Sequence, residues 1–236
     1  MPRRWLWWIV GLPVALVVLV SAGTWFYLHV IEGPAPARLT LDGATTSTIA
    51  ASTTVVSTDG AGTTVDGTWK VTTGSQAGYR VAEVLNGQSA TAVGRTSAVT
   101  GTITISGTSV AAGTFSVDLT KVASDQSRRD GQFQGRIMQT SSFPTATFEL
   151  TQPIDVGRVP ADGGKVSATA TGRLTLHGVT KVVAIPVDAE RSGATIRVAG
   201  SLPVHFADFG ISNPSAGPAQ VGADGEMEFL LVLAHA

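Results

Sequence analysis

The stretch Ser127–Phe148, SRRDGQFQGRIMQTSSFPTATF, departs from the pattern of the rest of this chain. Phe133, Ile137 and Met138 recur at spacings that group them on one helical face. The helix must end before Pro144, because a proline disfavours helical backbone at the residue before it. The stretch therefore predicts a short helix with an apolar face. Its N-cap candidates are Ser124, Asp125 and Ser127.

Alternating apolar and polar residues dominate the chain around this stretch, from Thr64 to Leu233. Such alternation is typical of strands with one buried face. Short strands separated by Gly, Ser, Thr and Asp turns, without a βαβ pattern, favour a sandwich or a barrel. The predicted strands are Thr68–Thr72, Tyr79–Leu85, Ala90–Arg95, Gly101–Ser106, Gly113–Leu119, Ala146–Leu150, Ser167–Leu176, Val182–Ala189, Ala194–Phe206 and Glu226–Leu233. We predict an all-β fold, an antiparallel barrel of about eight strands whose mouth or side receives the helix.

The N-terminal residues carry a separate signal. Arg3 and Arg4 precede an uncharged run, Trp5–Ile31, which is long enough to cross the ~30 Å hydrocarbon core of a bilayer. Tryptophans near both ends suit the two membrane interfaces. We predict one transmembrane helix within residues 1–31, with the N terminus cytoplasmic and the later chain extracytoplasmic at the cell membrane. A cleaved signal peptide is the alternative, although this apolar run is longer than an ordinary one.

A linker and one domain follow the predicted anchor. Residues 32–65 are rich in Pro, Ala, Thr, Ser and Gly and hold too few apolar residues for a core, which predicts a flexible linker. An edge strand at Arg38–Leu41 or Thr53–Val56 is the alternative. Residues 66–236 form the predicted barrel domain.

Composition and motifs exclude several function classes. The net charge is −1, whereas a nucleic-acid binder usually carries a basic stripe. The chain has no cysteine, which excludes disulfides and thiolate chemistry. It contains no HxH, HExxH or GxSxG motif with suitable partners, no phosphate loop and no dinucleotide fingerprint. We therefore predict no catalytic residues, no metal and no cofactor.

Three segments resemble the YceI-like polyisoprenoid-binding family. They are Arg129-Asp130 with Phe143-Pro144 and Phe148, then GRLTLHGVTKVVAIPV at Gly172–Val187, and Phe206–Ile211. The resemblance spans about Gly67 to Leu233. It implies a lipocalin-like antiparallel β barrel with a helical excursion and a long apolar pocket. It also implies an exported protein that holds an isoprenoid chain, such as a quinone or polyprenyl lipid.

The chain departs from this family pattern in two ways. Gly131-Gln132 stands where the family commonly has a small residue and His, and this difference affects the expected contacts with a ligand head group. A predicted anchor and linker stand where many relatives have a cleaved signal. This difference changes the expected location of the protein and leaves the expected pocket unchanged.

The implied pocket has a predicted lining of apolar residues. The residues are Phe115, Val117, Phe133, Met138, Phe143, Phe148, Leu174, Leu176, Ile185, Phe206, Phe209 and Ile211. Each aromatic residue alone could serve core packing. Together they fall on the helical excursion and the final segment, where a barrel would open, and apolar groups with few polar ones make a ligand site.

Two polar positions have competing interpretations. Arg129 is the head-group candidate, and the alternative is a structural role, pairing with Asp130 at the helix start or with a neighbouring strand. His177 precedes Gly178 between two strands, so we predict a hairpin turn with the side chain bonded to local backbone. His177 with Asp208 is the one pair that could suggest an enzyme acting on an isoprenoid.

Our main hypothesis is a membrane-anchored extracytoplasmic protein that stores, shields or transfers an isoprenoid or similar long apolar lipid, without chemistry. The alternative is a structural or interaction barrel, filled by its own side chains and displayed on a linker. The sequence names no protein partner.

Overall fold

The computed structural model of the chain describes residues 18–23, 25, 35–42, 65–215, 217 and 219–236. The strands of this part are β1 (Gly67–Val71), β2 (Gln76–Leu85), β3 (Gln88–Thr96), β4 (Val99–Ser106), β5 (Ser109–Asp118), β6 (Ala123–Ser124), β7 (Thr145–Leu150), β8 (Ile154–Asp155), β9 (Lys165–Leu176), β10 (Val179–Ser192), β11 (Thr195–His205), β12 (Ala219–Val221) and β13 (Asp224–His235). Each of the ten predicted strands corresponds to one of these. The short strands β6, β8 and β12 were not predicted.

Eight strand positions close into an antiparallel barrel. Strands β1 and β2 lie end to end along β13, and their hydrogen-bonded neighbours β4 and β3 also lie end to end. From β4 the order β5, β7, β9, β10, β11, β13 follows the chain, and β13 pairs back to β1 and β2. The predicted all-β barrel of about eight strands is confirmed.

Short helical turns interrupt the barrel in three places. An α-helix, Ser127–Gln132, is continued by a π-helical turn, Phe133–Ile137, and we call Ser127–Ile137 the cap. Two 3-10 turns, Leu119–Lys121 and Phe206–Phe209, flank the same end of the barrel. The cap ends before Pro144, as predicted.

The predicted N-cap residues of this helix are wrong. The N-cap is Gln126, and it makes no side-chain capping bond. The carboxylate of Asp130 instead accepts from the backbone N–H of Ser124 at 2.8 Å and from its hydroxyl at 2.6 Å. An acidic residue in the first turn therefore ties the helix to β6, and this contact replaces a local cap.

The two ends of the barrel differ. We call the end that carries the cap the capped end, where β5 and β9 finish and β7, β10 and β13 begin. At the other end, the far end, Trp69 packs with Val65, Ile103 and Leu233 in a buried cluster. The indole Nε1 of Trp69 donates to the carbonyl of Val65 at 2.8 Å, so the polar atom of this ring has a partner inside the cluster.

Residues 35–42, which we call the strap, lie against the outer face of the barrel. They fall within the predicted linker, and they form no strand, so the edge-strand alternative at Arg38–Leu41 is not observed. Leu41 is only 5% exposed and packs with Ala199 and Leu230. Burial of Leu41 explains why these residues join the barrel. Residues 43–64, including the alternative strand at Thr53–Val56, lie outside the described residues.

A buried carboxylate holds the strap. Glu228 is 2% exposed, and its carboxylate lies 2.7 Å from Arg95 Nη2 and 3.6 Å from Arg80 Nε. The same two arginines donate to strap carbonyls, Arg80 to Pro36 at 2.6 Å and Arg95 to Ala37. Burying a charge is unfavourable unless it is paired, and here the pairing also fixes the strap.

The predicted transmembrane run Trp5–Ile31 lies mostly outside the described residues. Residues 18–23 and 25 are helical. Val18, Leu19 and Trp25 are 59%, 70% and 54% exposed. Within the part of the chain that the structure describes, no helix has the length and apolar character needed to span a membrane.

Candidate functional site: the barrel cavity

The barrel encloses a cavity of about 560 Å³. Side chains from β2, β5, β7, β9, β10, β11 and β13 line it, and most of them are apolar. On β9, for example, Val166, Ala168, Ala170, Leu174 and Leu176 all face the cavity because alternate residues of a strand share one face. The volume lies within the ~300–1,000 Å³ range of small-molecule sites.

Glycines in the wall make room for aromatic rings beside them. A Cβ atom added to Gly101 would lie 2.4 Å from the Phe115 ring, and one added to Gly200 would lie 2.6 Å from the Phe229 ring. The same relation joins Tyr79 to Gly94, Phe148 to Gly172 and Phe206 to Gly225. Each ring occupies the space that a side chain at the glycine would take. The rings therefore line the wall and leave the lumen open.

Ten of the twelve predicted lining residues face this cavity. They are Phe115, Val117, Phe133, Met138, Phe148, Leu174, Leu176, Ile185, Phe206 and Ile211. Their placement agrees with the expected pocket, and contact with a ligand stays a prediction.

Phe143 and Phe209 are absent from the cavity lining. The Phe143 ring packs against His177, with ring centroids 4.7 Å apart, and Phe209 is 4% exposed in the adjacent 3-10 turn. Both residues lie outside regular strands, so inward–outward alternation does not apply to them. They pack the capped end from outside the lumen.

His177 contacts both of these phenylalanines, the ring of Phe143 and the backbone carbonyl of Phe209. It has a φ of 50° at the turn between β9 and β10, so the predicted hairpin turn is confirmed. Its Nδ1 donates to the carbonyl of Phe209 at 3.2 Å, so the expected bond to local backbone is wrong. Asp208 pairs instead with Lys181 at 2.8 Å, which lowers the pKa of its carboxyl through a side-chain hydrogen bond. Neither His177 nor Asp208 lines the cavity.

The lining becomes polar at the capped end, where Arg128, Arg129 and Gln132 of the cap meet the end of β2. We call this opening the mouth. Arg129 is paired with Asp125 and, at 3.3 Å, with Glu83 of β2, which is one of the structural roles considered for it. Arg128 is exposed and makes no ion pair with any described residue.

Tyr79 was not predicted as a site residue. Its ring stacks on Phe133, with centroids 5.0 Å apart and planes at 16°. Burial raises the pKa of its hydroxyl to about 12, because the apolar surroundings disfavour the phenolate. The alternation of Tyr79, Val81 and Leu85 along β2 was the signal that could have identified it.

Among the described residues, no group of three His, Asp or Glu side chains is placed to hold a metal ion. The cavity thus presents apolar surface with a polar rim.

A closed eight-stranded antiparallel barrel around an apolar cavity defines the class of β barrels that can enclose one small ligand. Residues 40–233 match the YceI-like domain family, and the chain belongs to that family.

Known relatives agree with this assignment. A UPF0312 protein of Pseudomonas aeruginosa (strain LESB58) is 38% identical over 128 residues, which cover 52% of this chain and 58% of that protein. The chain therefore spans little more than half the length of this relative. Among solved structures, a polyisoprenoid binding domain from Saccharophagus degradans, implicated in plant cell wall breakdown, has a TM-score of 0.56 at 17% identity. The match covers 71% of this chain and 98% of that domain.

Burkholderia cenocepacia BcnA has a TM-score of 0.51 at 22% identity, covering 67% of this chain and 95% of that protein. At these identities, the two structures show a shared fold.

Proposed function

We propose that this protein is a membrane-anchored, extracytoplasmic binding protein for an isoprenoid, such as a quinone or polyprenyl lipid, or a similar long apolar lipid. It stores, shields or transfers this lipid without chemical change. One observation carries the proposal: the barrel interior is an apolar cavity of about 560 Å³. The rival interaction-domain hypothesis requires a lumen filled by the protein's own side chains. The relative from Saccharophagus degradans, described as polyisoprenoid-binding, supports the ligand class.

The energetics of such a site favour a local supply of lipid. At ~0.3 kcal/mol per heavy atom, a tail of about 20 atoms contributes about 6 kcal/mol. This corresponds to a dissociation constant of tens of micromolar. Anchoring by the apolar run Trp5–Ile31 would keep the barrel beside a concentrated lipid pool. A moderate affinity is then sufficient for loading.

Native mass spectrometry of the full chain after mild detergent extraction tests the proposal. We expect a bound lipid, which organic extraction would release for identification. A barrel that is empty in every preparation, and that takes up no polyprenol or quinone from vesicles, contradicts the proposal. Phe148→Asp and Leu176→Asp place a charge in the lumen, and each should abolish loading.

A matched pair of variants separates the lumen from the barrel surface. Ala168 lines the cavity, whereas its neighbour Thr169 is exposed on the outer face. We expect Ala168→Phe to fill part of the lumen and reduce the amount of bound lipid. Thr169→Phe adds the same ring outside and should leave loading unchanged. Equal loading by the two variants would place the lipid elsewhere.

The mouth offers two arginines for a polar head group. Arg129 is the predicted contact, but its guanidinium is engaged by Asp125 and Glu83. Arg128 adds a second candidate on the same rim. We expect Arg128→Ala to weaken binding of a phosphate-headed polyprenyl lipid more than that of the uncharged alcohol. The two binding curves, measured by intrinsic fluorescence, check this expectation, and parallel losses would contradict it.

A further inference from the structure

The strap joins the barrel at the capped end. Near its start, the carbonyl of Pro36 accepts from Arg80, and Arg38 pairs with Glu226 at 2.5 Å. Arg80 and Glu226 face each other across β2 and β13, two residues from the start of β13. Since β13 begins at the capped end, the strap begins there as well.

From this point the strap runs towards the far end. The backbone N–H of Leu39 donates to Glu228 at 3.3 Å, and Leu41 then packs on Leu230, so the contacts move along β13 in sequence. The carbonyl of Leu41 accepts from Arg197 at 2.7 Å. Asp42 then reaches Lys165, the first residue of β9, at 2.5 Å. The strap therefore has one direction, with its N-terminal end beside the mouth.

Chain length limits how far the mouth can lie from the bilayer. The run proposed as the anchor ends at Ile31, and residues 32–34 separate it from the first strap residue, Ala35. Four Cα–Cα steps span at most about 14 Å even when fully extended. We infer that the capped end is a membrane-docking surface, on which the cavity mouth faces the head groups of the bilayer that holds the anchor. This inference rests on the anchor in the proposed function.

The capped end has the chemistry that such a surface needs. Val84 is 39% exposed on β2, and Leu85 at the end of the same strand lines the cavity. Arg128 is exposed at the mouth, where it can meet lipid phosphates.

Docking in this orientation removes the aqueous step from lipid exchange. An isoprenoid tail could pass from the bilayer into the mouth while the apolar surface of the tail stays covered. The far end, closed by Trp69 and its neighbours, would point away from the membrane.

Site-specific quenching tests the orientation on the full-length chain. The protein has no cysteine, so a single introduced thiol carries the only label. Ser89→Cys places a fluorophore on β3 near the mouth, and Ala194→Cys places it at the β10–β11 turn of the far end. Both residues are exposed, and they lie roughly 30 Å apart along the barrel. Each variant is reconstituted in phosphatidylcholine–phosphatidylglycerol vesicles that contain head-group nitroxide lipids, and the same samples are floated on a density gradient after an alkaline wash.

We expect both variants to float with the vesicles, the Ser89 label to be strongly quenched and the Ala194 label to keep its fluorescence. If the protein floats but the Ala194 label is quenched as strongly as the Ser89 label, or more strongly, the proposed orientation is wrong and the proposed anchor is still supported. Loss of flotation would overturn the anchor, and the orientation with it. The cargo proposal is tested separately by lipid extraction.

Releasing the strap provides the matched control. Leu41→Asp in the Ser89→Cys background should preserve flotation and lose the quenching, because the barrel is then free to turn on a longer connection. Leu39→Ser is a milder second variant, and circular dichroism checks that both remain folded. Quenching that persists in folded variants with a released strap would show that the strap does not orient the barrel, and would overturn the inference.

Discussion

At the scale of single residues, the open lumen depends on glycines beneath aromatic rings. Gly172 is the clearest case, because an added Cβ would lie 2.4 Å from both the Glu149 carbonyl oxygen and the Phe148 ring. One of these groups must move if the glycine is replaced. Strand pairing holds the carbonyl, so the ring, which lines the cavity, is the group that can move.

We therefore expect Gly172→Ala to lower the free energy of unfolding by about 1–3 kcal/mol, as overpacking does, and to reduce lipid loading. Urea unfolding of the delipidated protein measures the first effect, and native mass spectrometry measures the second. Gly131→Ala is the matched control, because nothing lies within 4 Å of its added Cβ. Alanine there should stabilise the helix by up to about 1 kcal/mol. Equal effects at both positions would contradict the role of the Gly172 contact.

Tyr79 reports the polarity of the mouth. Burial raises the pKa of its hydroxyl from 10.0 to about 12, so the folded protein retains the proton where the unfolded chain loses it. The contribution of Tyr79 to stability is therefore fully present below pH 10 and is lost as the pH rises through about 12.

The chain has two tyrosines, so Tyr27→Phe leaves Tyr79 as the only one. Ultraviolet titration of this variant should give a phenolate midpoint near 12, with circular dichroism recorded in the same samples. Phe133→Ala, which removes the stacked ring, should move the midpoint towards 10.0. A midpoint already at 10.0 in the folded protein would contradict burial of this hydroxyl.

Alternation along strands made the lining residues predictable wherever the chain is regular. Leu174 and Leu176 lie on one face of β9, and both face the cavity. Phe143 and Phe209 lie in irregular segments whose side-chain direction is set by tertiary contacts with the His177 turn. Arg129 is a similar case, because its partner Glu83 lies on a distant strand. Local pattern contains no information about such contacts.

At the scale of elements, the strap and its buried carboxylate act as one unit. Glu228→Ala would leave Arg80 and Arg95 without their anion in a buried site, and such a loss costs about 3–5 kcal/mol. Glu149→Ala removes an exposed ion pair with Arg173 and should cost ~0–1 kcal/mol. Urea unfolding of the two variants measures the difference. Limited proteolysis should also cut the strap faster in Glu228→Ala but not in Glu149→Ala. Similar decreases in the free energy of unfolding of both variants would argue against a structural role for the buried pair.

The strap could not be predicted because its stability comes from distant residues. In local composition, Arg38–Leu41 belongs to a Pro-, Ala- and Thr-rich segment with a weak apolar pattern. Its partners Arg80, Glu226 and Glu228 are separated from it by dozens of residues. Composition predicts disorder well only where no such partner exists.

At the scale of the whole molecule, closure of the barrel could be predicted from the sequence, because the spacing of the turns indicates the number and order of the strands. The sequence did not predict which end of the barrel is open, because the open end depends on where the cap, the β2–β3 hairpin and the segment after Phe209 meet. The cap is held on two sides by arginines. Arg129 pairs with Glu83 of β2, and Arg136 donates to the carbonyls of Asn213 at 3.2 Å and Pro214 at 2.7 Å.

Ligand exchange through the mouth should therefore depend on the Arg136 contacts. A lipid leaving the cavity must displace the cap, whose Phe133 is buried over the lumen, and this displacement breaks the bonds to Asn213 and Pro214. Removing bonds that contribute about 1 kcal/mol should speed release of a fluorescent isoprenoid probe about fivefold. Stopped-flow transfer from Arg136→Ala to acceptor vesicles measures this rate. Arg173→Ala makes the same charge change on the outer wall and should leave the rate unaltered. If both variants release the probe at the rate of the unaltered protein, displacement of the cap does not limit exchange.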